Sequence, residues 1–360
     1  MNNIINKLKN NNRLLKNYAY YLNNIFKPSQ IKTFRFASSS NFKYSTSNNN
    51  LKNNFISPIS QINQSNSNYQ LNYDISNLNS IFSEKGLIES RVIVEIEWLK
   101  SLVLYFIKND QLNSKESIND NKIKELINIK LDSIKENFNL ESAIKVKNIE
   151  KTTNHDVKAV EYYIKSEIEK LNLPNILYEF THFCCTSEDI NNLSFSMLLK
   201  KGLDKVYLVS LSELINNLSN FADKYSDISM LCRTHGQSAT PSTMGKELAN
   251  YAYRLNDLSY KLRKIKLKAK MNGAVGNFNA HYVVNPEYDW YNHSKNLLNR
   301  LGFEFNPYST QIENHDSISE VFYYSSLISS VLIDMTRDIK EYQKLGYINS
   351  SIINNNNPVS

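Results

Sequence analysis

Apolar residues recur along the chain at the spacing of an amphipathic helix. The clearest stretch runs from Leu78 to Phe106, where apolar side chains share one helical face, and it is followed by polar residues at 110–122. Strand patterns are scarce, and several of the periodic stretches exceed the usual three turns of a helix. The pattern predicts an all-α fold built as a bundle of long helices. Further helices are predicted at 122–136, 156–171, 188–224, 241–270, 290–301 and 316–345.

Three polar clusters each come directly before one of the predicted helices. They are Thr-Thr-Asn-His-Asp at 152–156, Thr-Ser-Glu-Asp at 186–189 and Arg-Thr-His-Gly-Gln at 233–237. Thr186 and Asp189 have capping-box spacing, and Thr240 and Pro241 are predicted as the N-cap and first residue of the helix at 241–270. A helix N-terminus presents unpaired N–H groups to an anion. If the three clusters converge, they would suit a ligand with several negative groups.

Ordinary helix caps are the simplest interpretation of any one such cluster. Two clusters also carry a histidine in a polar turn, namely His155 and His235. Histidine titrates near neutral pH and is the natural group to protonate a departing nitrogen or oxygen. His182 has aromatic neighbours, so a structural role is favoured for it. The histidines therefore make the first and third clusters stronger candidates for chemistry than their caps alone.

Two more segments are polar and precede or interrupt the helical pattern. Residues 270–277 contain two glycines at which backbone N–H groups can approach a ligand, although an ordinary loop explains them equally well. Residues 309–316 form a polar run that ends in His315 and Asp316. A metal site there lacks a second ligand pair with suitable spacing, so no metal is predicted.

The charge is concentrated at the start of the chain. The formal net charge is +7, but residues 1–73 hold nine basic residues and no acidic one, which leaves 33 basic and 35 acidic residues in the remainder. A basic, acid-free, Ser- and Asn-rich segment is typical of a mitochondrial transit peptide. The alternative is a low-complexity tail on a cytoplasmic protein. Because the body is nearly neutral, a nucleic-acid partner is not predicted.

Composition and segment boundaries complete this picture. Three cysteines, two of them adjacent, cannot form a disulfide framework, and no apolar run reaches the roughly 18 residues of a membrane span, so no membrane partner is predicted. Eight glycines and seven prolines argue against a many-turned β fold. The predicted organisation is a leader at 1–50, a linker at 51–72, an N-terminal helical domain at 73–185, a partial central bundle at 186–345 and a tail at 346–360.

Five segments together resemble the adenylosuccinate lyase family, and most closely its bacterial-type branch within the fumarase/aspartase superfamily. The likeness runs from about Leu78 to about Tyr342 and keeps the segments in order. The segments are TTNHDVKAVEYY at 152–163, HFCCTSEDINNLS at 182–194, RTHGQSATPSTMGKELAN at 233–250, KMNGAVGNFNAH at 270–281 and PYSTQIENHD at 307–316. Argininosuccinate lyases and fumarases are disfavoured by the first and last of these segments.

The resemblance implies the elimination of fumarate from adenylosuccinate, and from the succinylated imidazole-carboxamide ribotide of purine synthesis, without a metal or organic cofactor. It implies that His235 is the general acid and that Thr186 and Ser187 hold a succinyl carboxylate. It also implies a tetramer whose active sites are shared between subunits around a central helix bundle. The remaining implied substrate-binding residues are Asn154, His155, Asp156, Gln311 and Asn272.

The sequence also departs from the family pattern. The family's phosphate-binding Asp-Gly-Arg-Tyr stretch has no counterpart after Ser57 and Pro58, and its mobile serine loop is matched only faintly, with Ser350 at the position of the general base. The family's last bundle helices and C-terminal domain would follow beyond the chain, so the bundle is expected to be incomplete at its C-terminal side. Two hypotheses follow: a lyase that works in a homo- or hetero-oligomer with lyase subunits, or a non-catalytic relative that associates with full-length lyase subunits.

Overall fold

The computed structural model describes residues 76–108 and 120–348. All of them belong to one compact unit, Leu51–Ser360. The leader predicted at 1–50, the linker at 51–72 and the candidate base Ser350 lie outside the described residues. Within the described ranges, no helix is both long and apolar enough to cross a lipid bilayer. No group of three or more His, Cys, Asp or Glu side chains in those ranges could hold a metal ion.

The first half of the described chain is a cluster of helices around one long helix, α2 (Glu84–Lys108). Helix α2 runs through its middle and buries Trp98 completely, with the indole N–H donating to the carbonyl of Phe183 at 2.9 Å. The helices are α1 (Ser76–Phe82), α2 (Glu84–Lys108), α3 (Asp120–Glu136), α4 (Leu140–Thr153), α5 (Asp156–Lys170) and α6 (Asn175–Glu179).

The second half contains the longest helical segments and two small two-stranded sheets. Its elements are α7 (Ser187–Gly202), a π-helical turn (Leu203–Tyr207), α8 (Leu208–Lys224), β1 (Ser229–Thr234), β2 (Gln237–Thr243), α9 (Met244–Arg263), β3 (Lys268–Ala269), α10 (Asn279–Val284), α11 (Trp290–Arg300), β4 (Glu304–Phe305) and α12 (Asp316–Lys344). The π-helical turn joins α7 and α8 without a break in helical backbone. The predicted helix at 188–224 is therefore confirmed as one helical rod.

Three helices of this half lie antiparallel along one another. At one end of the α8–α9 pair, Arg263 donates to the carbonyl of Leu208 at 3.3 Å. Helix α12 runs antiparallel to α9, because Arg254 pairs with Asp334 at 3.1 Å and Tyr251 donates to Asp338. The all-α bundle of long helices predicted from the apolar pattern is thus confirmed as a mostly helical fold, with two small sheets added.

The prediction was wrong at the start of α9. Residues 229–243 form an antiparallel hairpin, β1 with β2, and α9 begins at Met244 with Thr243 as its N-cap, not at Pro241 with Thr240. Thr- and Ser-rich strands favour extended backbone, and Pro241 is tolerated because it lies opposite Leu231 beside a bulge in the strand pairing.

Two other boundaries differ from the prediction. Helix α4, which buries only Ser142, Ala143 and Val146, was not predicted because its apolar face is too narrow to stand out from its polar neighbours. The stretch expected as one helix from residue 78 to 108 is two helices that meet at Ser83. Ser83 Oγ accepts the Gly86 N–H at 3.1 Å, which starts α2 in the manner of a side-chain cap.

Gly245 is required where α9 begins against the end of α8. A Cβ at this position would lie 2.3 Å from the carbonyl oxygen of Ala222 and 2.6 Å from the backbone of Ser226. We expect Gly245→Ala to lower the free energy of unfolding by about 1–3 kcal/mol, because neither backbone segment can yield without parting the two helices. Thermal and urea unfolding measure the loss.

The matched control is Asn250→Ala, an exposed position on the same helix. Its free energy of unfolding should stay within about 0.5 kcal/mol of the unmodified protein. Equal stability of the two variants would show that the α8–α9 contact is not as tight as the structure indicates.

Candidate active site

The N-terminus of α5 carries the first polar cluster. Asn154 has left-handed backbone (φ 51°) and ends α4 by donating its N–H to the carbonyl of Glu150 at 2.8 Å. His155 is the N-cap of α5, and its Nδ1 accepts the Lys158 N–H at 3.1 Å. This cluster is therefore a helix cap, as predicted, with the imidazole itself as the capping group.

Arg91 of α2 holds this helix tip in place. Its Nη2 lies 2.6 Å from Asp156 Oδ2, and its Nε donates to Asn191 of α7 at 2.9 Å. Burial opposes ionisation of Asp156, but the guanidinium and the Val157 N–H outweigh it and hold the pKa of this carboxyl below its usual value. Arg91 thus fixes the tips of α5 and α7 relative to each other.

The N-terminus of α7 carries the second cluster and meets the first. Thr186 is its N-cap, and Asp189 Oδ2 accepts the Thr186 N–H at 2.9 Å, so the predicted capping box is confirmed. Ser187 Oγ lies 3.3 Å from His155 Nε2. Two of the three predicted helix tips therefore converge within one chain.

The same contacts assign the proton on His155. Because Nδ1 accepts a backbone N–H, the ring proton is assigned to Nε2, which donates to Ser187 Oγ. The serine hydroxyl hydrogen is then free to donate to a ligand. This arrangement makes Ser187 a hydrogen-bond donor aimed away from His155, which suits a carboxylate oxygen.

The N-terminus of α12, which follows the polar run noted at 309–316, joins these two tips. His315, with left-handed backbone (φ 60°), is the N-cap of α12, and its Nε2 lies 3.7 Å from Glu188 Oε1. Burial raises the pKa of Glu188, and His315 opposes the shift. The N-termini of α5, α7 and α12 thus gather on one side of the molecule.

The other two predicted substrate-binding residues, Asn272 and Gln311, lie in loops beside these tips. Asn272 is completely buried, and its side-chain amide donates to Ser309 Oγ at 2.9 Å, so it lies behind its loop rather than at the solvent face. Gln311 is exposed, with its backbone carbonyl bound by Lys270 at 3.0 Å. Sequence reasoning missed Lys270, because an internal lysine gives no periodic signal.

His182 lies under the same surface on strained backbone (φ 63°). Its Nδ1 is 2.6 Å from Oε1 of the fully buried Glu95. Burial disfavours the charged imidazole, but the Glu95 carboxylate outweighs it and raises the pKa of His182. The expected structural role agrees with this buried partner, although the glutamate was not foreseen.

His235 lies elsewhere in the same chain. It is exposed at the tip of the β1–β2 hairpin, where His235 (φ 52°) and Gly236 (φ 75°) form a two-residue turn with positive φ at both positions. The hairpin follows the far end of the α7–α8 rod, which is roughly 55 Å long at 1.5 Å per residue. Even if the hairpin folded straight back along the rod, it would bring His235 only about 30 Å closer to Ser187. His235 therefore cannot touch a ligand held by Ser187 of its own chain.

Comparison with known proteins decides the family. A sequence model of the lyase family matches residues 71–357. The chain belongs to this lyase family. It is 43% identical over 280 residues to the adenylosuccinate lyase of Escherichia coli strain K12 and 44% identical over 276 residues to that of Buchnera aphidicola from Schizaphis graminum. These stretches cover 78% and 77% of this chain, and the chain spans 59% of the length of each relative.

Solved structures of other lyases share the fold. A fumarate lyase from Mesorhizobium sp. BNC1 aligns with a TM-score of 0.58 and 16% identity, covering 76% of this chain and 59% of the other. A 3-carboxy-cis,cis-muconate lactonizing enzyme from Pseudomonas putida aligns with a TM-score of 0.56 and 19% identity, covering 74% and 55%. The predicted superfamily fold is confirmed for this lyase chain.

Replacing Arg91 tests the clamp between the tips. Removing one partner of a buried ion pair costs about 3–5 kcal/mol, and we expect about 2 kcal/mol for Arg91→Met because the Asp156 side chain is 30% exposed. Urea unfolding at pH 7 measures the difference. Lys85→Met, which breaks a more exposed pair with Glu89, is the control and should cost below about 1 kcal/mol.

The clamp also has a defined pH dependence. A carboxyl with a lowered folded-state pKa stabilises the protein above its unfolded pKa of about 3.9, and this stabilisation is lost as the pH falls through the folded value. The stability difference between the unmodified protein and Arg91→Met should therefore be constant from pH 7 to 5 and shrink below about pH 4. A difference that persists at lower pH would rule out Asp156 as the partner that matters.

For the His182–Glu95 pair we expect the opposite pH dependence of stability. Because the folded pKa of His182 is raised, its contribution is complete below the unfolded pKa of about 6.5 and is lost as the pH rises through the folded value. The stability lost in Glu95→Gln should be larger at pH 6 than at pH 9. Glu97→Gln, whose partners are Lys100, Lys135 and Arg300, is the control and should show no change across this range.

Proposed function

We propose that this chain forms part of an adenylosuccinate lyase that eliminates fumarate from adenylosuccinate and from the succinylated imidazole-carboxamide ribotide of purine biosynthesis. The observation that carries the proposal is the junction of two helix N-termini through His155 Nε2 and Ser187 Oγ, 3.3 Å apart. The similarity to named adenylosuccinate lyases supplies the substrate class. The geometry supplies a place for its negative groups.

The three helix tips suit a substrate with several negative groups. Cap side chains already take some of the first N–H groups, such as that of Lys158 at the α5 tip, but the positive end of each helix dipole still favours an anion there. The acidic residues in the first turns of α5 and α7 each have a cationic or imidazole neighbour. The pairs are Asp156 with Arg91, Asp189 with Lys270 and Glu188 with His315. The tip carboxylates therefore repel an incoming dianion less than their number suggests.

The proton donor in this proposal comes from a second copy of the chain. His235 is exposed on its hairpin and too far from the Ser187 tip of its own chain. The bundle helices also leave large side chains uncovered, and association would remove these from water. These side chains are Tyr253 at 75% exposure, Tyr260 at 57%, Phe322 at 49%, Tyr323 at 59% and Ile333 at 49%.

The reaction needs one base and one acid. A base removes the proton from the carbon beside a succinyl carboxylate, and the electron pair left behind forms the double bond of fumarate. As the carbon–nitrogen bond breaks, His235 donates its proton to the departing nitrogen. By resemblance the base is a serine, and its candidate in this chain, Ser350, lies outside the described residues. No organic cofactor or metal enters this proposal.

Mixing two inactive variants tests the shared site. His235→Ala lacks the acid and Ser187→Ala lacks the carboxylate donor, so each alone should lose about 100-fold or more in turnover. Co-expressed, they should recover measurable turnover, because some sites combine an intact hairpin with an intact helix tip. Fumarate release is followed by ultraviolet absorbance with adenylosuccinate as substrate.

The control mixture is His235→Ala with His235→Gln, which restores no complete site and should remain inactive. Recovery in this control would contradict the assignment of His235. If the unmodified chain shows no turnover, alone or with an intact lyase, but co-purifies with full-length lyase subunits, the non-catalytic hypothesis replaces this proposal. The uncovered aromatic side chains of the bundle favour association with another chain over a free monomer.

A further inference from the structure

A completely buried lysine lies directly behind the three helix tips. Lys270 has no exposed surface, and its ammonium group has three partners. Nζ lies 2.9 Å from Asp189 Oδ1, 2.9 Å from the carbonyl oxygen of Gly273 and 3.0 Å from that of Gln311. An ammonium group has three N–H donors, so every donor of Lys270 is used.

The partner carboxylate is equally satisfied. Asp189 Oδ1 accepts the Asn272 N–H at 3.1 Å, and Oδ2 accepts the Gly273 N–H at 3.1 Å and the Thr186 N–H at 2.9 Å. One ion pair therefore connects the turn before α7, the loop at residues 271–276 that contains Gly273 and Gly276 (the glycine loop), and the segment around Gln311. These segments are far apart in the sequence, and all three meet at this ion pair.

This pair is poorly explained as a source of stability alone. Taking two charges out of water costs about as much as their attraction returns, and apolar replacements of similar volume are often as stable. A charged pair with every hydrogen bond made has a different consequence, because it permits only one arrangement of the backbone groups it contacts. The groups fixed here belong to segments that carry Thr186, Asn272 and Gln311.

We propose that Lys270 is a positioning residue of the substrate site, which sets the Gln311 segment and the glycine loop against the N-terminus of α7 through Asp189. The inference rests on the proposed function, since it assigns Lys270 to the same site. Lys270 touches no substrate in this account. It acts through the exposed Gln311 side chain and through the turn that carries Ser187.

The backbone at Lys270 has a separate anchor, which makes the side chain testable. Asn192 Oδ1 accepts the Lys270 N–H at 2.9 Å, and Asn192 Nδ2 donates to the Lys270 carbonyl at 3.1 Å. Lys270→Met keeps the unbranched apolar stem and this anchor while removing the ammonium group. We therefore expect the variant to keep the backbone around β3 in place through Asn192 while releasing the carbonyls of Gly273 and Gln311.

The experiment compares Lys270→Met with Lys135→Met in the full chain. Lys135 is likewise a lysine in an ion pair, here with the carboxylates of Glu97 and Asp132, but it lies on α3, away from the helix tips. With adenylosuccinate as substrate, Lys270→Met should raise KM about tenfold or more, because small displacements of positioning groups cost up to about 100-fold. Lys135→Met should leave KM within about twofold. A purely structural role would lower the folded fraction in both and leave KM unchanged.

A second measurement does not depend on activity. Amide hydrogen exchange of the ligand-free protein should become about tenfold faster or more over residues 271–276 and 309–312 in Lys270→Met, with no such change in Lys135→Met. Unchanged exchange there, or an unchanged KM in an active protein, overturns the proposal. If the unmodified chain has no turnover, the proposed function fails, and the exchange measurement still decides whether Lys270 orders these segments.

Discussion

The carboxylate of Asp189 is the contact on which the arrangement of the site depends. It lies in the first turn of α7 and receives the N–H groups of Thr186, Asn272 and Gly273 together with the ammonium group of Lys270. A buried charge is tolerated only when it is paired and hydrogen-bonded. The requirement to satisfy this one group brings a helix start and a distant loop to the same place, and the neighbouring tips then assemble around it.

The length of the α7–α8 rod imposes the second constraint. The rod places its N-terminal tip and the β1–β2 hairpin at opposite ends of the bundle, so a single chain cannot combine Ser187 with its own His235. The proposed elimination, with Ser187 at the carboxylate and His235 as the acid, therefore draws the two residues from different copies of the chain. In the proposed function, association of chains follows from this helix geometry, and the uncovered aromatic side chains of α9 and α12 are consistent with it.

What the sequence predicts well is local, and what it misses depends on distant residues. The long helices and the Thr186 capping box follow from spacing within a few residues, and both are confirmed. The hairpin at 229–243 was missed because the Thr240-Pro241 pair is an equally good helix start, and only pairing with β1 decides between them. Arg91 with Asp156 and Lys270 with Asp189 join residues more than 60 positions apart, which no local pattern reveals.

Backbone strain gives an independent reason to regard these tips as functional. Left-handed backbone is uncommon for residues other than glycine and costs about 1 kcal/mol or more at each position. In the described chain it occurs at seven residues other than glycine. Asn172 lies outside the candidate segments, and the other six lie in or beside them: Asn154, His182, Cys184, His235, Phe278 and His315. Strain of this kind persists only where surrounding contacts enforce it. At Asn154 and His315 those contacts are the caps and ion pairs of the helix tips, so stability has been given up at two positions where the proposed chemistry needs side chains held in fixed directions.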